Sequence, residues 1–126
     1  MGKKLVKKKP KISTLRNKAD RLLQEWGRRK YAKYGCLICG GTYNCLHHYY
    51  TKGSSNALRY DEDNLIPICL RCHYRHHHTD DPSIHDRIRD IMGDKWLNTL
   101  RRKKNKVIKS NRAFYEEALQ KYAKQD

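Results

Sequence analysis

The chain has 126 residues, with 29 Lys and Arg against 13 Asp and Glu, for a formal charge of +16. Only 37% of it is hydrophobic and the mean hydropathy is -1.05, so a single domain of this size needs a staple beyond its apolar core. The charge favours a polyanionic partner, DNA or RNA, and no apolar run nears the roughly 20 residues of a membrane-spanning helix.

Residues 1–12 read as a basic tail and 13–126 as one domain. The start "MGKKLVKKKPK" lacks the apolar stretch of a secretion signal. A cytoplasmic, reducing setting is therefore expected, in which five cysteines point to metal rather than disulfides. Over 13–34, Leu15, Leu22, Leu23 and Trp26 recur at helical spacing, with Ser13 or Thr14 as N-cap and Gly35 as the stop. Cys45 to Tyr50 alternates as a strand does, and "GSSN" at 53–56 marks a loop. "NLIPICLRC" predicts a second extended segment turning into a helix. From Ser83, the positions Ile84, Ile88, Ile91, Trp96, Leu97 and Leu100 predict one or two helices broken near Gly93. A last helix is expected over Asn111 to Lys124, with Phe114, Ala118, Leu119 and Tyr122 on one face. A second basic cluster, "RRKKNKVIK", fills 101–109. Both clusters repel themselves unless solvated or resting on phosphates.

Cysteine spacing is the sharpest signal. Cys36 and Cys39 form one Cys-x-x-Cys and Cys69 and Cys72 another, with 29 residues between the pairs, which is the pattern of a four-cysteine zinc site. Gly40 and Gly41 ease the turn after the first pair. Such a site has no open position, so it holds the fold and leaves chemistry to other residues. Cys45 stands alone and reads as a small buried hydrophobe. The histidines remain to be explained. On a helix beginning near residue 71, His73 and His77 share a face and His76 is the alternative partner of His73, while His78 suits a surface contact to phosphate.

Taken together, "CLIC", "LHHYY" and "DNLIPICLRCHYRHH" resemble the His-Asn-His (HNH) nucleases. The likeness runs from Cys36 to about His78, near a third of the chain. It implies a small ββα-metal core over 36–80 within an α+β, mainly helical domain, flanked by helices at 13–34 and 83–126. It also implies that His48 is the general base, Asn64 the structural asparagine and His73 the first helix ligand. His47 falls where many members have aspartate and the colicin DNases have histidine. The spacings Asn64 to His73 and His73 to His77, nine and four, are also similar to the colicin pattern and favour His77 over His76 as third ligand. "LRYDEDN" is similar to phage recombination nucleases of the NinG type, with a departure at "RCHY", where that group has asparagine in place of His73. For a phage relative the setting would be the bacterial host cytoplasm.

The residue types suit that chemistry on their own account. Phosphodiester hydrolysis needs a base for the attacking water and positive charge on the phosphate and the leaving oxygen. Histidine serves the first need near neutral pH, and one divalent cation the second. Neighbours 47 and 48 on a strand point to opposite faces, which separates ligand from base. Asn64 does not titrate, but its amide can bond loop backbone and hold His48. Three imidazoles leave open positions on the ion without choosing among magnesium, manganese, nickel and zinc. Lys52, Arg59, Arg71 and Arg75 lie near the site in sequence and are candidates for DNA phosphates. A catalytically silent zinc-stabilised DNA- or RNA-binding module is the alternative class; it explains the charge and cysteines but leaves the paired histidines idle. Trp26, Tyr31, Tyr34, Trp96, Leu97, Phe114 and Tyr122 are expected to pack around the small core. Stacking on exposed bases and a homodimer built on the C-terminal helix are the alternatives.

Overall fold

The stripe Leu15, Ala19, Leu23 and Gly27, one residue per turn and all buried, is the inner face of α1, Ile12–Tyr31. It is seen in a computed structural model that describes residues 8–78 and 83–123, His77 and His78 by their backbone alone. The helix begins before the expected caps. Lys11 is the N-cap and makes no side-chain bond; its carbonyl accepts instead from Thr14 N at 3.0 Å and Leu15 N at 3.1 Å. At the other end the chain leaves the helix after Tyr31 and turns at Gly35, where φ is +80°. A Cβ there would lie 2.5 Å from the Gly41 carbonyl oxygen, so glycine is required both by conformation and by space.

Two short antiparallel strands follow, β1 at Cys45–His48 and β2 at Leu65–Ile68, with Cys45 opposite Ile68 and His48 opposite Leu65. The strand stops short of the expected Tyr50 for a clear reason. Both backbone groups of Tyr50 are taken by the Asn64 side chain, Tyr50 N donating to Oδ1 at 2.8 Å and Nδ2 donating to Tyr50 O at 3.0 Å. A 3-10 turn, Glu62–Asn64, leads into β2. Then come α2, Leu70–His78, α3, Ser83–Met92, α4, Asp94–Lys104, and α5, Arg112–Tyr122. Gly93, with φ +88°, makes the break between α3 and α4, and the Asn111 side chain caps α5 by accepting from Phe114 N at 3.0 Å.

A two-stranded sheet is marginal alone, and here each face is covered by a separate core. On one side Leu46 and Leu65 join Leu15, Leu23, Tyr115 and Tyr122 beneath α1 and α5. On the other, Ile66 and Ile68 join Ile84, Ile88, Leu97 and Leu100 of α3 and α4, together with three of the cysteines. Each such side chain, once fully buried, contributes about 1.5–3 kcal/mol relative to exposure. Both sheet edges are also closed. The Gln24 amide pairs with β1 like a third strand, accepting from Leu46 N at 2.9 Å and donating to Leu46 O at 3.1 Å. On the far edge Leu37 N donates to Pro67 O at 2.9 Å, and proline fits there because its missing N–H would face outward.

The fold is thus α+β, with five α-helices and one small antiparallel sheet among the described residues. Most of the expected aromatics pack: Trp26 meets Tyr31 and Tyr122 edge-on, and Trp96 Nε1 donates to Asp63 O at 2.7 Å. Tyr34 does not; it is 69% exposed, with the Lys33 ammonium over its ring. Among the described residues no helix is long and apolar enough to cross a membrane.

Candidate functional site

Cys36, Cys39, Cys69 and Cys72 come together, with all four sulfurs within 4.8 Å of one another. The first pair sits in a turn closed by Gly40 N to Cys36 O at 3.0 Å and Cys36 N to Gly41 O at 2.8 Å. Backbone N–H groups point at the sulfurs: Ile38 N at Cys36, Gly41 N at Cys39 and Cys72 N at Cys69, each at 3.4 Å. Such donors favour thiolates. The Cys39 and Cys69 sulfurs are 3.6 Å apart, far from a covalent bond. Burial first, then the hydrogen-bonded neighbouring sulfurs, push the Cys72 thiol well above its ordinary range, so four thiolates need a cation to share this space. The four cysteines can therefore hold a structural metal ion, and zinc suits a closed set of four soft ligands.

The histidines divide between the two faces of β1, as the pleat requires. Cys45 and His47 face α2. His47 is 3% exposed, and its ring centroid lies 5.2 Å from that of His73 and 4.9 Å from that of His76. Cys45 Sγ is 3.9 Å from His73 Nδ1, and burial followed by the nearby Cys69 and Cys36 raises its pKa. Beyond His76 the rings continue: His85 of α3 lies 5.7 Å from it and stacks on Tyr49 at 3.9 Å. Burial is the main reason the His85 pKa is lowered. The expected third ligand, His77, has its side chain outside the described residues, as does His78.

His48 faces α1. Its Nε2 lies 2.8 Å from the Arg59 carbonyl oxygen, and because a carbonyl only accepts, Nε2 carries the proton and Nδ1 the lone pair of the neutral ring. Burial is the largest cause of a lowered His48 pKa. The Arg59 bond works the other way, while the positive charge of Lys52 adds to the lowering. A cleft of about 270 Å³ opens at the strand end, lined by Gln24, His47, His48, Thr51, Lys52 and His73. Residues that face opposite sides of β1, His47 and His48, both border it. A larger cavity, about 540 Å³, lies between residues 57–63 and α5 and contains none of these histidines.

The loop after β1 is pinned from several directions. Asn64, fully buried, donates through Nδ2 to Leu58 O at 3.1 Å besides its two bonds to Tyr50. Arg59 donates through Nε to Asp20 Oδ1 at 3.1 Å and through Nη2 to Oδ2 at 2.5 Å. Burial opposes the Arg59 charge and these hydrogen bonds outweigh it, so its pKa rises. Tyr60 Oη donates to the same carboxylate at 2.9 Å, and Tyr122 Oη donates to Tyr60 O.

The four basic residues picked out for phosphate are therefore not alike. Lys52 is half-exposed at the cleft, with Asp20 3.9 Å away, and Arg71 and Arg75 are exposed on α2. The Arg59 side chain is only 13% exposed and is bound to Asp20. Sequence reasoning passed over Asp20, Gln24, His85 and the carbonyl of Arg59. Only Gly27 carried a readable sign, a glycine inside a helical stripe, which marks close packing. A Cβ at Gly27 would lie 2.5 Å from Leu46 Cδ1 and 2.6 Å from Tyr43 Oη. Against known proteins, neither a protein-family model, nor a curated protein, nor a solved structure matches this chain.

Proposed function

We propose that the protein is a metal-dependent endonuclease of the HNH kind, hydrolysing DNA phosphodiester bonds, with β1, β2 and α2 as its ββα core. The observation that carries this reading is His48, a largely buried imidazole held through Nε2 by Arg59 O with its other nitrogen left to act as base. The ring belongs to the same cleft as His47 and His73. His47, His73 and His77 hold one divalent cation, and the packing of His76 against His47 makes it the residue to test beside His77. Imidazole ligands favour nickel or zinc by affinity, whereas phosphoryl chemistry commonly runs on magnesium or manganese, so all four are to be tried. When bound, the cation supplies positive charge to the phosphate and the leaving oxygen.

The chain's own residues then have distinct tasks. His48 Nδ1 takes a proton from water as the new P–O bond forms and the bond to the 3′ oxygen breaks, and that oxygen regains a proton from solvent. Asn64 keeps the loop closed behind His48. Lys52, Arg71 and Arg75 bind flanking phosphates, and the basic clusters at 3–11 and 101–109 add sequence-independent attraction. The four-cysteine metal holds the β1–β2–α2 unit together and takes no part in the reaction.

A silent zinc-stabilised nucleic-acid-binding module has one observation in its favour: among the described residues only the four cysteines form a ready set of three or more metal-binding side chains. Incubation of plasmid DNA with the protein and each of the four metals separates the two. Metal-dependent nicking, lost in His48→Ala, is the expected result; intact plasmid under all four metals with DNA still bound would establish the silent module.

A further inference from the structure

His48 is oriented by one backbone carbonyl, and that carbonyl belongs to Arg59, a residue in a turn rather than a strand or helix. A turn carbonyl has no ladder to fix its direction. Here the fixing comes from the Arg59 side chain, whose two donors meet both carboxylate oxygens of Asp20 across 39 residues of sequence. Such fork-to-fork pairing sets direction as well as distance. Asp20 itself is rigidly placed, because its neighbours on the inner face of α1, Ala19 and Leu23, are 0% and 1% exposed. Tyr60 Oη, from the next loop residue, binds the same carboxylate.

We infer that Asp20 is a positioning residue for cleavage: through Arg59 it aims the carbonyl that keeps His48 in the Nε2–H tautomer and leaves Nδ1 as the base. This rests on the reading of His48 as general base. It gives Arg59 a task other than phosphate binding, and it makes the N-terminal helix part of the site although it contributes no group to the reaction. An ion pair that merely stabilised the fold would have no effect on which His48 nitrogen bears the proton.

The test uses the full-length, zinc-loaded protein in four forms: parent, Asp20→Ala, Arg59→Ala and the double variant. Arg59→Ala keeps the carbonyl and removes only its anchor. Cleavage of a DNA duplex gives kcat and KM, and imidazole nitrogen shifts from NMR report the His48 tautomer. Each single variant should lose about 10-fold to 100-fold in kcat, the range usual for partners that orient a functional side chain, with KM little changed. The double variant should be no worse than Arg59→Ala alone, since the two residues act in series. His48 should become a mixture of tautomers in all three, and Asp20→Asn, which retains an acceptor oxygen, should recover most of the rate. Additive losses, or an unchanged His48 tautomer in Asp20→Ala, would overturn the inference. If the single variants leave the charge of one partner unpaired and fail to fold, Asp20→Leu with Arg59→Met removes both charges together. Retention of the Nε2–H tautomer in that pair would also overturn it. A parent that cleaves nothing would end the nuclease reading, and the tautomer measurement would still decide whether Asp20 governs His48.

Discussion

The four-cysteine cluster and the His48 cleft lie on the same small sheet but are built in opposite ways. The cysteines arrive as two self-contained turns, each with both sulfurs and the N–H groups that point at them within a few residues. His48 depends on parts from three places: Arg59 after the strand, Asn64 before the next strand, and Asp20 on the first helix. Local construction makes the first region a unit that metal alone can organise. Distributed construction makes the second a product of the whole fold, so damage should run in one direction, from cysteines to cleft but not back.

The strongest test of that asymmetry is Cys39→Ser. A structural zinc contributes on the order of 10 kcal/mol in small zinc domains, against a total stability of roughly 5–15 kcal/mol for ordinary domains. The variant should lose its metal and most of its helical circular dichroism, and cleavage with them. Metal analysis after purification without chelator, beside a thermal melt, checks this; a variant that melts with the parent would show that the sulfurs are dispensable.

His48→Ala probes the other region and should leave the first untouched. Removal of a general base typically costs about 100-fold to 10,000-fold in rate, with structural zinc and DNA affinity unchanged. His47→Ala and His73→Ala should instead lower the affinity for the second cation, and again the four-sulfur metal should stay. Plasmid nicking measured with metal stoichiometry for the three variants tells base from ligand. Undiminished nicking by His48→Ala would put the base elsewhere.

A gentler break comes at the joint between α1 and β1. In Gly27→Ala the new Cβ would fall 2.5 Å from Leu46 Cδ1 and 2.6 Å from Leu46 Cγ, so helix and strand must separate. Overpacking of this kind costs about 1–3 kcal/mol, partly offset by the roughly 1 kcal/mol that alanine gains over glycine in a helix. Stability should fall modestly. Cleavage should fall further, because the Gln24 bonds to β1 and the Asp20 grip on Arg59 both ride on α1. Zinc content should not change, and if it did, the two regions would be coupled more tightly than their construction implies.

The same contrast explains how much of the molecule is legible in its sequence. Cys-x-x-Cys spacing is a local property, so the four-sulfur cluster can be read directly from the order of residues, as can the helical stripes and the adjacency of His47 and His48 on one strand. Strand β1 ends earlier than alternation suggests because Asn64 captures Tyr50, a contact across 14 residues that no periodicity records. Ser13 and Thr14 look like caps, yet the Lys11 carbonyl satisfies the first turn of α1. Asp20 gives no such sign: an acid on a basic helix looks like solvated charge until Arg59, 39 residues away, is folded against it. The histidines of α2 lie between these cases, since helical spacing names a face but not which ring on that face turns toward His47.

The smallest expected effect is on pH dependence, and it belongs to the cleft and not to the cysteines. Burial holds the folded His48 below the ordinary 6.5, assisted by Lys52 and Arg59 and opposed by Asp20 and the bond to the Arg59 carbonyl. Above pH 6.5 the ring is neutral whether the chain is folded or not, so its full contribution to stability is present. As pH falls through 6.5 towards the folded pKa, the unfolded chain takes up the proton first and that contribution is lost. Cleavage should follow the folded value: flat near neutrality, with an acid limb below 6.5. Lys52→Met removes a charge that lowers the pKa, so its limb should move upward in pH, while zinc retention over the same range stays as in the parent. A pH–rate profile of kcat/KM for parent and Lys52→Met measures the shift. A limb that stays put would mean that Lys52 does not act on His48, and a limb above 6.5 in the parent would mean that a different group limits the reaction.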